Sequence, residues 1–274
     1  MKFPFLFRRR VIELSPAIWA GLRGRIPVLA HLDAREIDRH QTLMTRFLRD
    51  TAIEGAAGFH LDDRMRLEIA ALVCLPVIHL ELDAYDPFSE VIVYPTVFET
   101  RREEVDEEGL VHAMEGPLAG EALDGGPIVL AWDEVEAGRA GSPLQVVLHE
   151  CAHKLDLADG LADGCPPLSG QSRPHWQHTL DQVLYSLRNQ VDTIESALPA
   201  HIDPESCDAD PWYETLPLDP YAATDAAECF AVSIEAFFSR PHQLRQNLPE
   251  WYACLARYLG QDPAESRFRS AGTH

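Results

Sequence analysis

Residues 144–155 read Leu-Gln-Val-Val-Leu-His-Glu-Cys-Ala-His-Lys-Leu, and no other segment limits the fold as strongly. The run is apolar enough to be a buried helix, yet it carries two imidazoles and a carboxylate. Polar groups in such a place must find partners or a metal. Ser142 and Pro143 stand just ahead, a capping residue followed by a first-turn proline, so a helix is predicted to begin there. His149 and His153 are four residues apart and therefore lie on one helical face, one turn apart. Two imidazoles so placed can converge on one zinc ion, which favours nitrogen ligands and tetrahedral geometry. Glu150 lies about 100° around the helix from His149, beside such a metal rather than on it. From there it can take a proton from water activated by the metal.

A catalytic zinc wants a third protein ligand and an open position. The extended pattern H-E-x-x-H-x-x-G-x-x-H fails, because Asp156 and Asp159 stand where Gly and His would be needed. Asp159 stays open as a carboxylate ligand. A better source is the segment 225–238, Asp-Ala-Ala-Glu-Cys-Phe-Ala-Val-Ser-Ile-Glu-Ala-Phe-Phe. Glu228 and Glu235 are seven apart there, on nearly the same helical face, among large apolar residues. Spacing leaves open which of them reaches the metal and which supports a ligand. Asp156, three after His153, can accept a ring N–H and fix its tautomer, or end the helix at the surface. Tyr221, seven before Glu228, can donate its hydroxyl to an oxyanion or simply pack at the start of the helix. His175 and His178 lack an acidic or cysteine partner nearby in sequence and read as surface residues, and His112 and Trp132 as structural ones.

Around these motifs the chain reads as α+β and mostly helical, with a small sheet beside the active-site helix. Asp33 and Glu36 form a capping-box pattern ahead of the apolar positions Ile37, Leu43, Phe47 and Leu48. A second helix is predicted over 63–75, stopped near Pro76. Strands are predicted at 90–94 and 128–132. Gly125, Gly126 and Pro127 ahead of the latter suit a strand at the sheet's edge, where an extended peptide can pair. Residues 101–109 read as a solvated acidic loop and 204–220 as a loop or lobe. Long helices are expected over 176–194, 225–238 and 249–258, with a polar tail at 261–274. The whole is read as one domain, a helical part over 1–80 followed by a catalytic core over 81–260.

Charge narrows the function classes. With 23 Lys and Arg against 44 Asp and Glu, the net charge is −21, which repels a phosphate backbone and argues against direct nucleic-acid binding. No apolar run approaches the roughly 18 residues of a membrane span. The Arg8-Arg9-Arg10 cluster follows the apolar start instead of preceding it, reversing the order of a signal peptide. The 6 cysteines contain no Cys-x-x-Cys pair. Reduced thiols and a cytoplasmic location are expected.

The segment His149–Asp156, His-Glu-Cys-Ala-His-Lys-Leu-Asp, together with Asp219-Pro-Tyr-Ala-Ala-Thr-Asp-Ala-Ala-Glu-Cys-Phe-Ala-Val232, resembles the Mlc titration factor A family of zinc peptidases. Residues 72–76, 91–95, 110–112 and 126–132 look similar to the same family. The resemblance implies a gluzincin-like core with one zinc per chain, held by His149, His153 and Glu228, and with Glu150 as base. It also implies a peptide or protein substrate, aminopeptidase-type activity, and a transcriptional repressor as partner. A regulatory binding protein that sequesters a repressor, with a structural or vestigial zinc, is the alternative. The chain departs from the family where the usual Asp-Pro-Ala-Glu reads Asp225-Ala-Ala-Glu228, and in a longer stretch around 203–219.

Overall fold

The computed structural model of the chain describes residues 14–105, 111–118, 120–122, 125–139, 145–170 and 172–265. Helix α1 (Pro16–Arg25) starts on the Ser15 cap, and α2 (Ala34–Asp50) on a full capping box. Asp33 accepts from the Arg35 and Glu36 amides at 2.7 and 2.9 Å, and Glu36 accepts from the Asp33 amide at 2.9 Å. A short strand, β1 (Ala52–Gly55), follows directly and was not anticipated from the sequence. Four residues without clean alternation carry almost no strand signal on their own. Helix α3 (Asp63–Cys74) is buried over most of its length, as its apolar composition predicts.

Strand β2 (Glu90–Tyr94) pairs parallel with β1, and β6 (Ile128–Ala131) pairs parallel with β2. Strand β5 (Gly120–Ala122) pairs antiparallel with β6, giving the order β1-β2-β6-β5. The expectation that 128–132 forms an edge strand is therefore wrong. Strand β6 is interior, and all four of its residues are buried. Its Ile-Val-Leu-Ala sequence is what a strand covered on both faces requires. Pro127 lies before the ladder and removes no hydrogen bond from it. Trp132 belongs not to the strand but to α4 (Trp132–Arg139). It is buried and lies under the Arg64 guanidinium, 5.9 Å from its ring centroid, in keeping with a structural role.

The expected loop at 101–109 also needs correction. Strand β3 (Phe98–Val105) pairs antiparallel with β4 (Val111–Leu118), so acidic composition did not preclude a ladder. Residues 106–110 lie outside the described residues, as do Ser142 and Pro143.

The C-terminal half is helical: α5 (Val146–Asp156), α6 (Arg173–Ala197), the short α7 (Asp210–Tyr213), α8 (Ala226–Ser239), α9 (Pro241–Asn247) and α10 (Pro249–Leu259). Helices α5 and α8 pack against each other. Both are apolar around most of their circumference, because each is covered on several sides. Trp176 of α6 ties this half together, edge-on to Trp251, Phe230 and Tyr258 at 4.8, 5.9 and 5.6 Å. The hydrophobic core is one cluster running from Trp19 to Ala264. The start of the polar tail is fastened to it: Gln261 is buried and donates to the Leu75 carbonyl at 2.9 Å.

Candidate active site

Helix α5 presents His149 and His153 toward α8, which presents Glu228 from its first turn and Glu235 two turns further on. Asp225 caps α8 by accepting from the Glu228 amide at 2.9 Å, which sets where that first turn begins. Nε2 of His149 lies 3.1 Å from Nε2 of His153 and 3.1 Å from Oε2 of Glu228, and the His153–Glu228 distance is 3.5 Å. Yet Glu228 Oε2 is buried and accepts no well-formed hydrogen bond. Three potential ligand atoms thus meet at one point.

The tautomer of His149 explains this. Its Nδ1 is 2.8 Å from Oε1 of Glu235, a carboxylate that accepts only, so in the neutral ring the proton belongs on Nδ1 and Nε2 is free to bind a cation. Oε2 of Glu235 accepts the Gln145 amide, which holds the carboxylate against the start of α5. Glu228 and Glu235 therefore take different jobs. One faces the converging nitrogens, and the other grips the far side of a ring.

The arrangement fits a tetrahedral metal. Ligand bonds of about 2.0–2.1 Å put neighbouring donors roughly 3.3 Å apart on a tetrahedron's edge. The three separations fall on either side of that length, and the donor set of two imidazoles and a carboxylate suits zinc. Among the described residues, His149, His153 and Glu228 are the group of ligand atoms close enough to share an ion. The local field agrees. Burial by itself lowers the His149 pKa, but Glu228 and Glu235 outweigh it and raise it to about 10, so that with no cation between the donors a proton on Nε2 takes that place. Burial pushes Glu228 up, whereas the two histidines more than reverse this and hold it well below the usual carboxylate range. The cluster stabilises positive charge between its donors.

Glu150 is buried beside this point, and its Oε2 has no hydrogen-bond partner. Burial raises its pKa to about 7, with His149 and His153 pulling the other way. Tyr221 sits on a 3-10 turn, Pro220–Ala223, with its ring centroid 6.2 Å from that of His149. It is 51% exposed, so packing alone does not account for it. Burial of its hydroxyl and the neighbouring Glu228 raise its pKa to about 12, keeping the proton in place.

Other sequence candidates lie elsewhere. Asp159 pairs with Arg173 at 3.0 Å and is no ligand. Asp156 accepts the Gly164 amide at 2.8 Å through Oδ2, and its Oδ1 has no partner, so it fastens the loop after α5 rather than His153. His175 and His178 are exposed on α6. The side chain of His112 lies outside the described residues.

Sequence reasoning overlooked what holds α5 from behind. Lys154 is fully buried and pairs with Asp86 at 2.7 Å, while the Asp86 amide donates to the Lys154 carbonyl at 2.7 Å. Asp86 also accepts the Gly125 amide at 2.9 Å, joining α5 to the turn before β6. A lysine inside an apolar helix was the available signal. It announced a buried partner without saying which.

The chain's residues 7–259 match the family model described as glucose-regulated metallo-peptidase M90. A protein of Serratia proteamaculans named Mlc titration factor A is 35% identical over 239 residues, 87% of this chain and 85% of its own length. Proteins of the same name from Cronobacter sakazakii and an Enterobacter species are 33% and 34% identical over 91% and 90% of this chain, and over 88% and 87% of their own. No helix among the described residues is long and apolar enough to cross a membrane. With a family match across nearly the whole chain, and relatives a third identical over almost their full length, the chain belongs to the M90 family of metallopeptidases.

Proposed function

We propose that this protein is a zinc peptidase of the gluzincin-like, HExxH-plus-glutamate type, in which His149, His153 and Glu228 hold one zinc ion. The observation that carries the reading is the meeting of three potential ligand atoms beside a buried glutamate with an unpartnered oxygen. When bound, zinc supplies Lewis acidity toward the scissile carbonyl and lowers the pKa of bound water to about 7. Glu150 takes the proton from the attacking water and passes it to the leaving amine. Tyr221 offers its hydroxyl to the oxyanion, and Glu235 keeps His149 in the tautomer that leaves Nε2 free. The sheet edge nearest α5 is β5, so an extended substrate would pair there and not on β6. An aminopeptidase-type preference and a cytoplasmic site of action belong to the same proposal. The cysteines, all free and mostly buried, support the latter.

A second reading rests on the relatives' name, which couples them to titration of Mlc. In it the protein regulates by binding a repressor, and hydrolysis is secondary. The two separate in one experiment. Glu150→Gln should keep zinc and fold while hydrolysis of fluorogenic peptides falls by roughly 10²–10⁴. Equal activity in both proteins would sink the peptidase reading and favour the binding protein.

A further inference from the structure

Tyr221 and Glu228 are carried by one stretch, 219–228, that runs from the 3-10 turn into the first turn of α8. Its internal supports are local. Asp219 accepts the Tyr221 amide at 3.0 Å, and Asp225 accepts the Glu228 amide at 2.9 Å. Neither bond fixes the stretch relative to α5, where the histidines sit; packing of α8 on α5 and contacts from α6 do so.

Arg188 of α6 reaches across to this stretch. Its Nε donates to the Ala223 carbonyl at 2.7 Å and its Nη2 to the Thr224 carbonyl at 2.6 Å. These two carbonyls mark the junction between the turn that bears Tyr221 and the cap of the helix that bears Glu228. In a chain with 44 acidic residues, an arginine directed at main-chain oxygens, with no carboxylate ion pair among the described residues, is placed for geometry rather than charge balance. A guanidinium is a rigid planar fork, so two bonds from it fix orientation as well as distance. Arg188 is exposed, whereas α6 packs through Trp176, Thr179, Leu180, Val183 and Leu187. The core does not need its side chain.

We propose that Arg188 is a positioning residue of the metal centre, holding Tyr221 and Glu228 in register with His149 and His153. The inference rests on the zinc-peptidase reading for the roles of those four residues. Removing a partner that orients a metal ligand typically lowers metal affinity or activity about 10–100-fold. Arg188 acts one step further out, through the main chain, so zinc affinity measured by competition with a chromophoric chelator should weaken in Arg188→Ala toward the lower end of that range, about 10-fold. In Arg188→Lys it should recover in part, since an ammonium can meet one carbonyl but not both. Asn189→Ala, the next residue along α6, should match the wild type. With peptide substrates, kcat of Arg188→Ala should fall while KM holds, because the oxyanion donor acts in the transition state.

A folded Arg188→Ala with wild-type zinc affinity and wild-type kcat overturns the proposal, even if its melting temperature drops. Weakened zinc binding alongside a wild type that hydrolyses nothing would instead sink the peptidase reading and leave the positioning role standing. If the alanine variant does not fold, Arg188→Lys reads the same two quantities: reduced affinity and kcat support the role, and unchanged values refute it.

Discussion

At the scale of single residues, the site turns on two carboxylates doing different work on the same imidazole. Glu228 offers an oxygen to the point where both Nε2 atoms meet, whereas Glu235 accepts the Nδ1–H of His149 from behind. On the proposed zinc reading, replacing the first removes a metal donor, whereas replacing the second leaves all three donors but loosens one ring. Glu228→Gln should accordingly lower zinc occupancy well below that of Glu235→Gln, whose affinity should fall about 10–100-fold. Chelator competition on the three proteins measures both effects, and a larger loss in Glu235→Gln would reverse the assignment. In Glu235→Gln a single oxygen is left to accept for two donors, the His149 Nδ1–H and the Gln145 N–H, so one of them faces the amide NH2 and the effect divides between the ring and the start of α5.

At the scale of elements, the loop after α5 decides how closely α8 can approach. Gly164 has a positive φ of +72°, and a Cβ there would come within 2.3 Å of the Ala226 carbonyl. Its amide is held by Asp156, and its carbonyl accepts from the Trp176 indole at 2.8 Å. The loop is thus pinned between α5, α6 and the first turn of α8, two residues from Glu228. Gly164→Ala combines left-handed strain with a backbone clash and should destabilise the fold by on the order of 3 kcal/mol. Chemical denaturation checks the magnitude. Because the atom displaced belongs to the turn that carries Glu228, zinc affinity should fall as well, and a stability loss with unchanged affinity would show that the loop gives way instead and Glu228 keeps its place against the histidines.

At the scale of the whole molecule, the core and the site are separable. The hydrophobic cluster is continuous from Trp19 to Ala264, and α5 is held independently by the buried Lys154–Asp86 pair. Zinc should therefore stabilise the protein without being needed for its fold. Free zinc a thousandfold above its dissociation constant adds about 4 kcal/mol by linkage. For a chain of this size that corresponds to a rise in melting temperature of roughly 10 °C. Calorimetry with and without chelator should show this difference between two cooperative transitions. Loss of helical circular dichroism on chelation at 25 °C would mean instead that the metal builds the fold. The net charge of −21 means that attraction to a cationic surface would weaken with salt.

What the sequence determined by itself is what is local along the chain. The capping box at Asp33, the apolar helices around His149 and Glu228, and the four-residue spacing of the histidines need only neighbouring residues to be legible. Glu228 and Glu235 were likewise legible as a pair on one face. Seven residues turn a helix through nearly two full revolutions while moving about 10 Å along its axis. Which of the two meets Nε2 and which Nδ1 depends on how far α8 is displaced along α5, and tertiary packing alone sets that. The family resemblance pointed to Glu228, whose Oε2 is the carboxylate oxygen lying beside both Nε2 atoms. The same distinction explains the failures. Ile128–Ala131 reads as a strand from its own residues, but whether it is edge or interior depends on β5 arriving to pair with it. Lys154 announces a partner, yet Asp86 stands 68 positions away. Arg188 looks like any exposed helix arginine until the fold brings two carbonyls from 35 and 36 residues downstream within its reach.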